Sequence, residues 1–313
     1  MSEPDSIAAL EHIDGAPGTP TAPPTGAGRT LGGDAWETLR SSWVFWASVS
    51  LIAVLIVMAI FPSLFTSADP SSCVAQRARL SPSKEAWFGY DVQGCDVYAR
   101  TIYGARASIV VGSIATFVAM VLGAGVGIYA GFFGGIVDTL LSRVTDIFFA
   151  IPILLGSIII LTSIPTPAGS SFFSIIKVSL VIAILGWTST ARVARSSVIQ
   201  VKQADFVSAS RALGASRTWM IRKHIIPNAA APVIVITTIS LGSYIGAEAT
   251  LSYLGIGLQP PVISWGIAIS DAAAYVRSTP HMLFFPATFL SLTVLAFISL
   301  GDVVREALDP KAM

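Results

Sequence analysis

The chain has 313 residues, of which 53% are apolar and 12% charged, with a net charge of +1 and a mean hydropathy of +0.73. A soluble chain is about 25% charged, and so few charges could not cover the surface of a protein this apolar; the near-neutral balance also disfavours a nucleic-acid partner, which selects for a basic excess. The composition leaves an all-α, polytopic membrane protein, because a helix of about 20 apolar residues is the unit that crosses a bilayer.

Residues 1–42 are polar, rich in Gly, Pro, Ala and Thr, and carry six acidic residues, which predicts a disordered cytoplasmic tail. The acidic start and the late first apolar run argue against a signal peptide. That run, 43–65, is charge-free and forms the first predicted span. Residues 66–106 form an extracytoplasmic loop, and 107–303 a five-helix core. Within the core, further spans are predicted at 107–133, 147–164, 172–190, 229–255 and 283–301. The mixed segment 136–146 can continue the third span into the headgroups, and Pro152 should kink or unwind it. Lys177 stands near the start of the fourth span, and Glu248 is the only charge in the fifth.

Six spans put both termini on one side. The side with 1–42, 134–146, 191–228 and 302–313 carries 12 basic residues against 7 opposite, so it should face the cytoplasm, with 304–313 as a cytoplasmic C-terminus. Cys73 and Cys95 both fall in the external loop, where an oxidising compartment permits a disulfide; two free thiols are the alternative. No phosphate-binding G-x-x-x-x-G-K-[ST] loop, nucleophilic G-x-S-x-G or metal-ligand spacing occurs. The three histidines, His12, His224 and His281, are far apart. The chain is therefore a passive pore or one subunit of a machine powered elsewhere. An intramembrane hydrolase would need a nucleophile and base within the spans, where no histidine lies.

Small residues recur every fourth position at Ala115, Ala119, Gly123, Gly127, Gly131 and Gly135, a spacing that lets helix backbones approach closely in lipid. Gly242 and Gly246 form a shorter pair. Glu248 is a candidate for lining a pathway, against an interfacial position or a pairing with a partner's Arg. Asp146 is also a pathway candidate, although Arg143 three residues earlier favours a local ion pair.

The loop 191–228 holds seven basic residues and one acid, Asp205. Phe206, Val207, Ala209, Ala212 and Leu213 recur at helical spacing. Gly214 can end that helix, Ser216 can cap another, and Pro227 suits the first turn of the next span. The pattern predicts two short helices joined at Gly214. They either rest on anionic headgroups or dock a cytosolic protein.

Here the chain resembles the membrane permease subunit of type I bacterial ABC importers, in the dipeptide, oligopeptide and nickel group. That family's loop reads E-A-A, three residues, Gly, nine residues, I-x-L-P. The register here is Ser208, Ala209, Ser210, then Gly214, then His224, Ile225, Ile226 and Pro227, with Ser208 in place of the Glu. Further matches are Tyr103–Ser108 to Y-G-A-R-x-S, Tyr90–Val97 to T-D-x-x-G-R-D-V with Cys95 for the Arg, and Gly131–Gly135 to G-Y-F-G-G. Asp146 to Leu155 is similar to D-x-x-x-x-x-P-x-L-L, and Leu251 to Gly266 to L-S-F-L-G-L-G-x-Q-P-P-x-x-S-W-G. The resemblance covers about 40–311 and points to the C-type permease.

The resemblance implies a six-helix permease fold with cytoplasmic coupling helices, in the bacterial cytoplasmic membrane. It implies a heterodimer with a second permease, two ATPase subunits that bind ATP and Mg, and an extracytoplasmic binding protein. This chain would hold no cofactor or metal and catalyse nothing. Asp205, Ser208, Ala209, Ser210, Arg211, Gly214, His224, Ile225 and Pro227 would form the ATPase-coupling loop. The substrate would be a di- or oligopeptide, with nickel, another small solute or a passive channel as alternatives. The glycine stripe would be a rigid lever or the seam with the partner permease, and the Q-P-P…S-W-G segment would meet the binding protein or shape the outer mouth.

Overall fold

The computed structural model describes residues 31–167 and 169–308. In chain order its helices are α1 (Leu31–Ser41), α2 (Trp43–Ile60), α3 (Val97–Phe133), α4 (Gly135–Phe149), α5 (Ile153–Ser163), α6 (Ser171–Lys202), α7 (Asp205–Ala212), α8 (Arg217–Met220), α9 (Ile226–Tyr253), α10 (Trp265–Ala273) and α11 (His281–Ala307). Five of the described segments are long and apolar enough to cross a membrane, and six if α4 and α5 together count as one span.

Three expectations change. The first concerns the tail: residues 1–30 lie outside the described residues, but 31–41 are helical, not disordered. The reason is packing that composition does not show. The Trp36 ring meets Phe45 edge-on at 6.1 Å, and the Trp46 indole N–H donates to Arg40 O at 3.0 Å. At the other terminus α11 runs on to Ala307, and 309–313 lie outside the described residues.

The second is narrowed: 136–146 continue helically into the third span only as far as Phe149, and the span breaks at Pro152 as expected, α5 starting at Ile153 with a bend of 81°. Pro152 caps α5, a position where its missing N–H leaves no bond unmade. Lys177 closes the far end of α5, donating from Nζ to Ile164 O at 3.0 Å and Thr166 Oγ1 at 2.6 Å.

The third concerns the glycine stripe, which does not serve as a seam with a second permease at Gly123, Gly127 and Gly131. It faces α6 of the same chain. A Cβ on Gly123 would lie 2.5 Å from Trp187 O, one on Gly127 would collide with Ala191 O, and one on Gly131 would lie 2.9 Å from Arg195 O. Without side chains at these points the two backbones touch. Gly135 is not part of this seam: at φ +57° with nothing nearby, it follows Gly134 (φ +69°) and turns the chain into α4. The left-handed region is open to glycine at little cost, so the pair can break the helix sharply.

Around the α3–α6 seam lies a core of Val111, Ala115, Ala119, Val178, Ile182, Leu185 and Leu251. A second core joins α2, α3, α9 and α11 through Leu55, Met58, Ile102, Ile245 and Phe297. Gly242 lets α9 approach α11, where a Cβ would stand 2.9 Å from Val294 O, while Gly246 has only Val294 Cγ2 at 3.9 Å.

Replacing Gly127 with Val should therefore lower stability by about 2–3 kcal/mol, the scale of overpacking a filled contact. Gly125→Ala, on the opposite face of α3 with open space around it, should not lower stability, since Ala is the better helix former. Thermal unfolding of the purified variants in detergent measures both; equal melting temperatures would show that the seam is not closely packed.

Candidate functional site

The segment between α6 and α9 folds as a knob beyond the end of the helical bundle. Asp205 stands in the first turn of α7, where a carboxylate complements the helix dipole. Gly214, at φ +81°, reverses the chain after α7. Ser216 caps α8, accepting from Trp219 N at 3.4 Å. A widened turn over Ile221–Ile225 then runs into α9, with Pro227 in its first turn. The two short helices and their joint fall where the spacing placed them.

The knob is fastened by one face. Val207, Met220 and Ile225 are buried against Phe132 of α3, Val198 of α6 and Ala229 of α9. Ile225 is 0% exposed, so it is an anchor and not an outward contact. Lys202 adds a charged strut, donating from Nζ to Phe132 O at 2.5 Å. The free face carries Phe206, Leu213 and Trp219, with Leu213 89% exposed. Asp205, Ser208, Ala209, Arg211 and Gly214 are exposed on the same knob, beside an open groove lined by Ser210, Leu213, Ala215 and Trp219.

Inside the knob, Ser210 Oγ donates to Phe206 O at 2.8 Å and lies 3.0 Å from His224 Nε2. A hydroxyl has one proton; with it on Phe206 O, the contact needs His224 to donate from Nε2. The imidazole also packs against the rings of Phe206 (5.6 Å) and Trp219 (5.0 Å). His224 and Ser210 thus brace α7 against the turn that leads into α9.

Above the knob, α4 is tied to α6. Arg195 holds Asp138 with two parallel bonds, 2.5 Å and 2.7 Å. Asp146 does not pair with Arg143; its partner is Arg192 of α6, at 3.0 Å. Arg192 also lies over the Phe149 ring at 3.7 Å. A cation–π contact and an ion pair across the helix interface displace the local i, i+3 pairing. The Asp138–Arg195 clamp carried no sequence signal, since its partners are 57 residues apart.

On the opposite side, Glu248 is fully buried among Ser108, Ser252 and Ser264, from α3, α9 and the start of α10. Each serine hydroxyl accepts from a backbone amide: Trp265 N on Ser108 (3.4 Å), Leu258 N on Ser252 (3.0 Å) and Ile267 N on Ser264 (3.3 Å). Their protons are left for an acceptor, and Ser252 donates to Glu248 Oε1 at 2.8 Å. In this conformation the carboxylate faces helices of its own chain and no open passage. The segment around Trp265 is likewise drawn inward: its indole N–H donates to Thr101 O at 2.9 Å, and the ring is 0% exposed. Only Pro260 and Pro261 of the Q-P-P run face out.

The long loop between α2 and α3 is pinned onto the start of α3. Cys73 and Cys95 form a disulfide. Asp91 accepts from Gln93 N (2.8 Å), Cys95 N (2.9 Å) and Arg100 Nη1 (2.6 Å). Asp96 caps α3, accepting from Ala99 N at 3.1 Å. Arg106 closes the end of α2 by donating to Ala59 O and Ile60 O. Nearby, burial pushes the Asp271 carboxyl above the ordinary range, while Arg100 opposes the shift and Asp91 adds to it.

Glu248→Leu removes the acceptor of the serine cluster, and each buried group left unpaired costs about 1–3 kcal/mol. It should lower the melting temperature of the purified protein clearly, and Glu248→Gln, which keeps one acceptor oxygen, should lower it less. Equal losses would show that the carboxyl oxygens do not organise the cluster.

Residues 123–313 match the family model described as "Binding-protein-dependent transport system inner membrane component". The oligopeptide transport system permease protein OppC of Bacillus subtilis (strain 168) is 38% identical over 278 residues, covering 89% of each chain. The dipeptide transport system permease protein DppC of the same organism is 36% identical over 282 residues, covering 89% of this chain and 85% of that one. The glutathione transport system permease protein GsiD of Escherichia coli O157:H7 is 34% identical over 284 residues, covering 90% and 91%. Among solved structures, an inward-facing conformation of the MetNI methionine ABC transporter aligns with a TM-score of 0.53 at 19% identity, covering 66% of this chain and 96% of that one. The fold is that of a type I ABC importer permease, and the chain belongs to the family of binding-protein-dependent transport system inner membrane components.

Proposed function

We propose that this chain is one of two permease subunits of an ATP-driven importer that carries di- and oligopeptides across the bacterial cytoplasmic membrane. Two ATPase subunits bind ATP and Mg and supply the energy, and an extracytoplasmic binding protein delivers the substrate. The chain itself holds no cofactor and catalyses no step. Both termini and the knob face the cytoplasm, the side with the Lys and Arg excess.

The observation that carries this reading is the mechanical design of the knob. Its outer face offers Phe206, Leu213 and Trp219 to a partner, and its inner face is locked to α3, α6 and α9 through Val207, Met220 and Ile225. A push on the outer face therefore moves the ends of three spanning helices together, which is what rigid-body alternating access needs. Peptide is the favoured cargo because relatives at 34–38% identity are named for oligopeptide, dipeptide and glutathione transport.

Ala209→Arg places a long cation on the exposed face of α7, and Gly214→Val forces a branched residue to φ +81°. Both should abolish transport and substrate-stimulated ATP hydrolysis of the assembled complex while the chain still inserts and purifies. Normal transport by both would remove the coupling role. Uptake of labelled di- and tetrapeptides by a strain lacking the gene should fall to background and return on complementation. Unchanged peptide uptake with lost nickel uptake would overturn the cargo.

A further inference from the structure

Between α3, α4 and the second half of α6 lies a cavity of about 410 Å³, whose lining includes Gly127, Ser142, Thr145, Asp146, Arg192 and Arg195. This volume lies within the range of small-molecule sites, about 300–1,000 Å³. Arg192 stands almost three helical turns before Lys202, the last residue of α6, so the cavity sits about 15 Å above the knob.

The two ion pairs at this cavity are unlike. Asp138 is saturated: it takes two bonds from Arg195 and a third from Ser142 Oγ at 3.3 Å. Arg192 and Asp146 share a single contact of 3.0 Å, and their side chains are 45% and 52% exposed. An ion pair this open contributes about 0–1 kcal/mol, so either partner can exchange it for an equivalent group on a ligand at little cost. A ligand that replaces both halves must present an anion to Arg192 and a cation to Asp146. The Phe149 ring under the Arg192 guanidinium keeps that group in place when Asp146 is released.

We propose that this cavity is an inner station for a zwitterionic substrate, with its free carboxylate on Arg192 and its ammonium on Asp146. The inference rests on the peptide-import reading and adds the end-group chemistry and the place. The weakness of the resident pair suits the task, because a transit site must let its occupant leave. Resting closed on itself, the pair also leaves no unpaired charge in the empty cavity.

The test uses the assembled transporter, both permeases with both ATPases, in detergent and without the external binding protein. Equilibrium dialysis measures binding of the dipeptide Ala-Phe, its N-acetyl form and its C-terminal amide. Blocking either end should weaken binding to the wild type about fivefold, the size of one exposed ion pair. Asp146→Asn should weaken Ala-Phe about fivefold and leave the N-acetyl form unchanged. Arg192→Gln should weaken Ala-Phe and leave the amide unchanged. If the wild type ignores blocked ends, binds no Ala-Phe, or if both variants weaken every probe alike, the station is wrong; the wild-type comparison needs no variant to fold. Peptide uptake by vesicles supplied with the binding protein separates the two readings. If the wild type takes up peptide but shows no end-group dependence in the dialysis, only the station falls. If it takes up none, the peptide-import reading falls.

Discussion

The backbone-to-backbone seam between α3 and α6 is the contact on which the other features depend. In lipid, apolar side chains gain little by leaving the solvent for a neighbouring helix, so helices associate through close packing. Gly123, Gly127 and Gly131 supply it by letting Trp187 O, Ala191 O and Arg195 O come within reach. Any Cβ at these points would prise the helices apart. The seam is internal to the chain, so it makes α3 and α6 one stiff unit and leaves other surfaces for a partner.

That unit reaches both ends of the molecule. At one end its last turns carry Phe132 and Val198, the floor on which Val207, Met220 and Ile225 rest. At the other, Thr101 and Ser108 of α3 receive Trp265 and the serine cluster around Glu248. The segment around Trp265 and the knob are therefore both fixed to α3, with no loop between them and that helix. The bend at Pro152 sets α4 at a steep angle to α5, and the Asp138–Arg195 clamp holds α4 on α6, which leaves room between them for a cavity.

Much of this was legible beforehand. The spans follow from composition, because a backbone in lipid must satisfy its hydrogen bonds within the helix. The two knob helices follow from local signals: Gly214 takes a left-handed conformation, Ser216 caps, and Pro227 starts a helix. The glycine spacing announced a close contact but not its partner, and it extended one step too far, to Gly135. Asp146 illustrates the limit. Its neighbour in sequence, Arg143, was the natural partner, and its partner in space is Arg192.

By itself the sequence determined what short stretches dictate: the number of apolar runs, the basic loop, the break at Pro152, and a chain of motifs specific enough to identify the family. Tertiary structure alone decided which helix the glycines touch, which arginine holds which aspartate, and that Glu248 closes a serine cluster within its own chain. The reason is distance along the chain. Helix starts and stops are set by bonds across three or four residues, whereas the Asp146–Arg192, Asp138–Arg195 and Ser108–Trp265 contacts join residues 46, 57 and 157 apart. Such contacts exist only once the helices have packed, and the packing depends on the shape of whole helix faces.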